Sequence, residues 1–375
     1  MDAGRQQITK ARCWVVKIGS SLITDDGRGL DLAAIQAWAA QLVQLQQQGI
    51  RLVLVSSGAV AEGVARLGLP RRPTEIHLQQ AAAAVGQMGL VQAYENCFKQ
   101  HGTHAAQVLL THADLSDRTR YLNARSTLST LLDMKVVPVV NENDTVATAE
   151  LCFGDNDTLA ALVANLINAE LMVVLTDQDG LFSKDPRADN SAQLIDEASA
   201  NDRSLQGVAG KGSSLGRGGM LTKVTAARLA ARSGSNTIIA NGRLKDVLLR
   251  IAAGETVGTL LRADNEPIAA RKQWLAGQLS VRGKLQLDAG AVQVLTHSGK
   301  SLLAVGIKSS SGSYARGEVV ACVDESGNEI ARGLVNYNSE EVSKLAGKNS
   351  AQFVGLIGYI SDEEIIHRDN LILTN

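Results

Sequence analysis

RCWVVKIGSS, residues 12–21, is the stretch whose reading decides the fold. Five of its first seven residues are apolar without alternation, the texture of a strand covered on both faces of a sheet. The run stops at Gly19-Ser20-Ser21. DLAAIQAWAAQLVQLQQQG (31–49) follows, with Ile35, Trp38, Leu42 and Leu45 on one helical face. Asp31 is suited to cap that helix and Gly49 to stop it. IRLVLVS (50–56) reads as a second strand, closed by Ser57-Gly58-Ala59. HAAQVLL (104–110), KVVPVV (135–140) and ELMVVLT (170–176) repeat the pattern with helical sequence between them. Alternation of this kind predicts an α/β fold, a three-layer α/β/α sandwich around a parallel sheet.

Past residue 260 the texture changes. RADNEPIAARKQW (262–274) is polar, holds one of only five prolines, and reads as a linker. Beyond it, GKLQLDAGA, SLLAVGIKS, GEVVACVDESGNEIARGLVNY and AQFVGLIGYI are β-like runs broken by Gly, Asp and Asn, which predicts a smaller C-terminal β-barrel. The expected domains are 10–262 and 280–368. Residues 201–219 read as the most loop-like part of the first domain, with six glycines between Gly207 and Gly219.

Composition narrows the function classes. The 375 residues are 45% hydrophobic and 20% charged, with a net charge of −1, so neither global disorder nor a strongly basic nucleic-acid binder fits. No apolar run approaches the roughly 20 residues of a membrane helix. The first dozen residues have no apolar secretion signal, and a cytoplasmic setting is expected. Cys13, Cys97, Cys152 and Cys322 are scattered without CxxC spacing, which suits a reducing compartment and suggests neither a disulfide framework nor a zinc site.

In an open parallel sheet, ligands bind beyond the C-terminal strand ends. The residues at those ends are Lys17 through Ser21, Ser56 through Ala59, Asn141-Glu142-Asn143-Asp144 and Thr176 through Gly180, joined by Phe153-Gly154-Asp155-Asn156-Asp157 at the start of a helix. Together they predict one crevice. Lys17 closes an otherwise apolar strand beside a Gly-Ser-Ser turn, where a cation and free backbone N–H groups suit a phosphate. Lys223 follows the run Gly216-Arg217-Gly218-Gly219-Met220-Leu221-Thr222 and is placed to reach the end of a polyphosphate. A lysine at a strand tip also simply reaches solvent, and Gly/Ser-rich runs also serve as plain surface loops. Asp144, Asp155, Asp157 and Asp177 suit an ammonium group, a lysine or Mg²⁺, although Asp155 and Asp157 equally suit helix caps. Asn141, Asn143 and Asn156 suit a small zwitterion or a turn. Neither a G-x4-G-K-[ST] loop nor a GxGxxG turn after the first strand occurs, which disfavours P-loop and dinucleotide folds.

VVKIGSSLIT, VSSGAVAEG, AAAAVGQ, LNARSTLSTLL, VPVVNENDTVATAE, FGDNDTLAALVA, LLTDQDGLFSKDPR and GRGGMLTKVTAA resemble, in order, the signature segments of the glutamate 5-kinase (γ-glutamyl kinase) family. The likeness runs from about residue 10 to 370 and implies an amino-acid-kinase fold followed by a PUA domain. It implies catalytic roles for Lys17, Lys223 and Asp157, with Asp157 orienting the two lysines. It implies glutamate binding by Ser57, Asp144 and Asn156, with Gly58, Asn141 and Asp155 lining the same pocket. ATP would be held by Lys17, Thr176, Asp177 and the loop Arg217, Gly218, Gly219, Met220, Leu221, Thr222 and Lys223. Arg217 departs from the threonine of many members of the family. No residue is assigned as a metal ligand.

The reaction so implied is phosphorylation of the L-glutamate γ-carboxylate by ATP with Mg²⁺, opening proline biosynthesis. The resemblance further implies inhibition by proline, a homo-oligomer (dimer or tetramer), and a glutamyl-phosphate reductase to consume the acyl phosphate. A related kinase acting on N-acetylglutamate, aspartate or carbamate would share the ATP site, but NENDTVATAE and GDND favour glutamate. PUA modules are also similar to RNA-binding domains. Here Lys284, Lys300, Lys308, Arg316, Arg332, Lys344 and Lys348 are interleaved with acids and stacking aromatics are few, so RNA is not expected as a partner.

Overall fold

The computed structural model describes residues 3–24, 29–146, 156–187, 189–209, 219–264 and 281–374. They fall into two compact units, one ending at 267 and the other beginning at 268 and taking in Ser116–Asn123.

The first unit is built on an eight-stranded sheet of order β3-β4-β2-β1-β5-β7-β8-β6. Its strands are β1 (Cys13–Ile18), β2 (Arg51–Ser56), β3 (Ala105–Leu110), β4 (Val137–Glu142), β5 (Leu171–Thr176), β6 (Glu197–Ser199), β7 (Asn236–Asn241) and β8 (Thr259–Arg262). β1, β4 and β5 are buried along their whole length, as the unbroken apolar runs require. The five strands read from the sequence are all present and mutually parallel. β6, β7 and β8 were not in that reading, and β8 runs antiparallel to β7.

Among the described residues the helices of the first unit or its borders include α1 (Ala3–Ile8), α2 (Ser20–Ile23), α3 (Leu32–Gln47), α4 (Ala59–Arg66), α5 (Ile76–Lys99), α6 (His112–Ser116), α7 (Arg118–Asp133), α8 (Asn156–Ile167) and α9 (Ser204–Ala209). α10 (Met220–Ala231) and α11 (Val247–Ala252) complete the run. In α3 the Asp31 carboxylate accepts from Ala34 N at 3.0 Å, and Ile35, Trp38, Leu42 and Leu45 are all buried. They join Trp14, Val16 and Ile18 of β1 and Leu90, Tyr94 and Phe98 of α5 in one core. Val15 and Lys17 alternate with that row and so lie on the opposite face, the one on which α8 packs against β1. That alternation is why an ionised side chain in a buried strand meets the first turn of α8. α9 occupies part of the stretch expected to be loop; Leu205 and Ala209 are buried, and anchoring them fixes a helical turn.

The second unit holds β9 (Val281–Leu287), α12 (Ala289–Ser298), β10 (Leu302–Leu303), β11 (Ile307–Gly312), β12 (Val319–Val323), β13 (Glu329–Leu334), α13 (Ser339–Leu345), α14 (Phe353–Ile357), β14 (Glu364–Ile366) and β15 (Leu371–Leu373). Its main sheet has the order β11-β9-β12-β13-β15, and β10 pairs with β14 separately. AQFVGLIGYI, read as β-like, is instead a 3₁₀ turn and α14. Asn349 caps it through a reciprocal capping box with Gln352, and Phe353 plugs into the core against Tyr337. Among the basic residues of this unit, Arg316 pairs with Asp362, Arg332 with Glu329 and Lys308 with Glu325. Cys13, Cys97 and Cys322 are free, and burial pushes the Cys13 and Cys322 thiols up to about 12. No helix among the described residues is long and apolar enough to cross a membrane.

Candidate active site

The chain leaves β1 for β2 on one side and later places β5 on the other, so β1 and β5 flank the point where strand order reverses. That is where an open α/β sheet leaves a crevice beyond its strand ends. A cavity of about 310 Å³ lies there, lined by Lys17, Gly19, Ser57, Thr176, Asp177, Gly219, Met220 and Lys223, among others. Gly19 N donates to Leu175 O at 3.2 Å, which ties the turn after β1 to the end of β5.

One carboxylate organises the cations of this cavity. Lys17 Nζ lies 2.6 Å from Asp157 Oδ1, and Lys223 Nζ lies 3.1 Å from Asp157 Oδ2. The Thr222 hydroxyl donates to the same Oδ2 at 2.8 Å. All three ionised groups are buried, Asp157 to 1% exposure. Burial would push the Asp157 carboxyl up. The two ammonium groups and their hydrogen bonds outweigh that and hold it below its ordinary range. Two ammoniums against one carboxylate leave a net positive charge in a poorly solvated place. The N-terminus of α10, capped by Gly219, adds partial positive charge at the same cavity.

A second group of residues is joined by amides. Asn156 Nδ2 donates to Ser56 O at 3.2 Å, Ser57 Oγ at 2.9 Å and Asn141 Oδ1 at 2.9 Å. Asn141 Nδ2 in turn donates to Gln87 Oε1 at 2.7 Å. Gly58, with φ of 106°, makes the left-handed turn that starts α4 beside Ser57. Thr176 Oγ1 donates to Asp177 Oδ1 at 3.0 Å.

The expected residues that are described line more than one cavity. Asp144 lines a cavity of about 640 Å³ with Glu142, Asn143, Thr145 and Gln87, the residue that meets Asn141, on the α5 side of β4. There burial pushes its carboxyl up to about 6 against the pull of the Arg72 guanidinium. Among the described residues the strand-end clusters line these two cavities. β4 lies two strands away from β1, and its end opens beside α5. Leu221 is 42% exposed and does not line the cavity of the lysines. Asp155, Arg217 and Gly218 lie outside the described residues.

Phe182, Lys184 and Arg187 line the first cavity and were not singled out from the sequence, although LLTDQDGLFSKDPR contains them. Gln87 was likewise quoted only within AAAAVGQ. Among the described residues no cluster of three or more His, Cys, Asp or Glu is placed to hold a metal, and both Asp157 oxygens are engaged by cations.

The open α/β sheet with paired buried lysines at its switch point is that of an amino acid kinase. Residues 12–241 match the model of the amino acid kinase family, and residues 283–356 match the PUA domain. Curated proteins named glutamate 5-kinase are similar along almost the whole chain. That of Pseudomonas fluorescens is 60% identical over 98% of this chain and all of its own length. The Nitrosospira multiformis protein is 59% identical over 98% of this chain and 99% of its own, and the Nitrosococcus oceani protein 58% identical over all of both. The chain belongs to the glutamate 5-kinase family and is an enzyme of this type. Among solved structures it is similar to the UMP kinase of Bacillus anthracis, at a TM-score of 0.48 and 17% identity over 68% of this chain and 97% of that one.

Proposed function

We propose that this enzyme transfers the γ-phosphoryl group of ATP to the γ-carboxylate of L-glutamate, forming L-glutamyl 5-phosphate, the first step of proline biosynthesis. The observation that carries the reading is the Lys17–Asp157–Lys223 triad in the cavity beyond β1 and β5. A γ-carboxylate is already ionised at neutral pH, so the step needs no general base. Its obstacle is repulsion between the carboxylate and the triphosphate. Two lysines fixed by one carboxylate neutralise charge on the transferring group without reorganising during reaction. Asp157 is the positioning group; Lys17 and Lys223 contact the phosphates. Thr176, Asp177 and the loop from Arg217 through Thr222 hold the nucleotide, and Mg²⁺ arrives with ATP as part of that substrate.

Ser57, Gly58, Asn141, Asp155 and Asn156 surround the glutamate, and Asp144 supplies a counter-charge to its ammonium group. Proline, with the same α-carboxylate and a cationic α-nitrogen, occupies part of that pocket as an inhibitor. The acyl phosphate is hydrolytically labile and is handed to a reductase in the cytoplasm, and the enzyme works as a homo-oligomer.

The test is ADP release from MgATP with and without L-glutamate, repeated with hydroxylamine to trap the acyl phosphate. Glutamate-dependent ADP with a stoichiometric hydroxamate is expected. Folded protein giving neither product would overturn the reading.

A further inference from the structure

We infer that Gln87 is a positioning residue for glutamate, acting through the amides of Asn141 and Asn156; this deepens the proposed function and rests on it. Gln87 is buried on α5, and its Oε1 accepts from Asn141 Nδ2 at 2.7 Å. The orientation of each following amide is fixed by a backbone group that has only one role to play. Glu142 N–H only donates, so the Asn141 atom 2.9 Å from it is the carbonyl oxygen and the other is the NH₂. Ser56 O only accepts, so the Asn156 atom it meets is the NH₂.

The relay therefore has one direction. Gln87 Oε1 accepts a hydrogen bond from Asn141, Asn141 Oδ1 accepts one from Asn156, and Asn156 spends its NH₂ on protein. What Asn156 retains is Oδ1, buried and without a hydrogen-bond partner among the described residues. A buried carbonyl left over in this way suits a donor, and an amino-acid substrate brings one as its ammonium group. Removing the Gln87 acceptor leaves the Asn141 NH₂ buried and unpaired. That cost is relieved only by turning or shifting Asn141, which takes away the partner that holds Asn156.

Gln87 is held in place by an unusually close helix pair. A Cβ on Gly86 would lie 1.9 Å from Ala59 O, and one on Gly63 would lie 1.7 Å from Ala82 O. α4 and α5 thus touch backbone to backbone, with the residue after Gly86 delivered to the end of β4. Asn141 continues the row of Val137 and Val139 toward α5, whereas Asn156 opens α8 on the other face. The relay bridges the two helical layers across the strand ends. The Lys17–Asp157–Lys223 triad makes no hydrogen bond to Gln87, so nucleotide binding is not expected to feel its loss.

The experiment compares wild type with Q87M and Q87E in steady-state assays varying glutamate and ATP separately, with thermal melts. Met matches the length of Gln but accepts no comparable hydrogen bond. Q87M is expected to raise the glutamate KM about tenfold while leaving the ATP KM within about twofold. Glu keeps an acceptor oxygen for Asn141 Nδ2 in either protonation state. Q87E is expected to hold the glutamate KM within about threefold of wild type. An unchanged glutamate KM in Q87M, or equal rises in both KM values, would overturn the inference. If Q87M does not melt cooperatively, Q87E alone decides, and a glutamate KM raised about tenfold there overturns it too. Wild type without glutamate-dependent turnover strikes down the proposed function itself, a different result from normal wild-type turnover with an indifferent Q87M.

Discussion

Lys17 Nζ stands 2.6 Å from Asp157 Oδ1, an ion pair in which neither side chain exceeds 6% exposure. A cation at the end of a buried strand and a carboxylate in the first turn of a helix meet only because β1 and α8 pack face to face. Desolvating both charges costs several kcal/mol, which excellent geometry and a second cation, Lys223, offset.

Lys17→Ala and Lys223→Ala are each expected to lower kcat about 10²- to 10³-fold, the scale of losing one preorganised charge stabiliser. The glutamate KM should change little. Steady-state kinetics on variants with cooperative melts checks this, and wild-type turnover in either variant removes that lysine from the chemistry.

Asp157→Asn removes the negative charge that holds the two ammoniums together. Their repulsion then has no counter-charge, and kcat is expected to fall about as far as in the single lysine variants. Combining Asp157→Asn with Lys17→Ala should cost far less than the sum of the two, because they act as one unit. Additive losses in that cycle would mean the carboxylate and the lysine act independently.

The Asp144 carboxyl, pushed up to about 6 by burial, is ionised above that pH and neutral below it. The counter-charge it offers an ammonium group is therefore present at pH 7 and lost as the pH falls through about 6. The glutamate KM should rise on acidification across that window, with the ATP KM nearly flat. Asp144→Asn should show the raised KM at every pH, and a pH profile like that of wild type in this variant would rule the assignment out.

Gly86→Ala and Gly63→Ala each place a methyl group where backbone already lies, 1.9 Å from Ala59 O and 1.7 Å from Ala82 O. α4 and α5 must separate, at a cost of about 1–3 kcal/mol or more for overpacking. Denaturant melts should show the loss. Gly68, whose Cβ would meet nothing within 4 Å, is the contrasting surface position, strained only by its φ of 62°.

Proline inhibition should be relieved by raising glutamate if the two share the pocket around Ser57 and Asn156. Inhibition patterns at several glutamate concentrations distinguish this from a separate site: a lowered apparent maximal rate that glutamate does not restore speaks for the separate site.

Much of this protein was decided by sequence alone. Unbroken apolar runs such as Trp14–Val16 and Met172–Leu175 require burial on both faces, and a six-residue strand has no other way to achieve it than a central place in a parallel sheet. The cap at Asp31, the turn at Gly58 and the lysines beside glycine-rich turns are local features, legible because the chemistry lies within a few residues. β7 and β8 were missed because short apolar pieces between helices carry little period, and α14 because Val, Ile and Phe outweigh a capping box that shows only once its hydrogen bonds form. The resemblance implied that Asp157, 140 positions from Lys17 in the numbering, orients both lysines, but only the tertiary structure shows the contacts, and it alone decided that Asp144 lines the cavity beside α5 and that Gln87 ends an amide relay. Those facts depend on which strands are neighbours and how closely α4 meets α5, and contacts between distant segments have no spacing in the chain from which to read them.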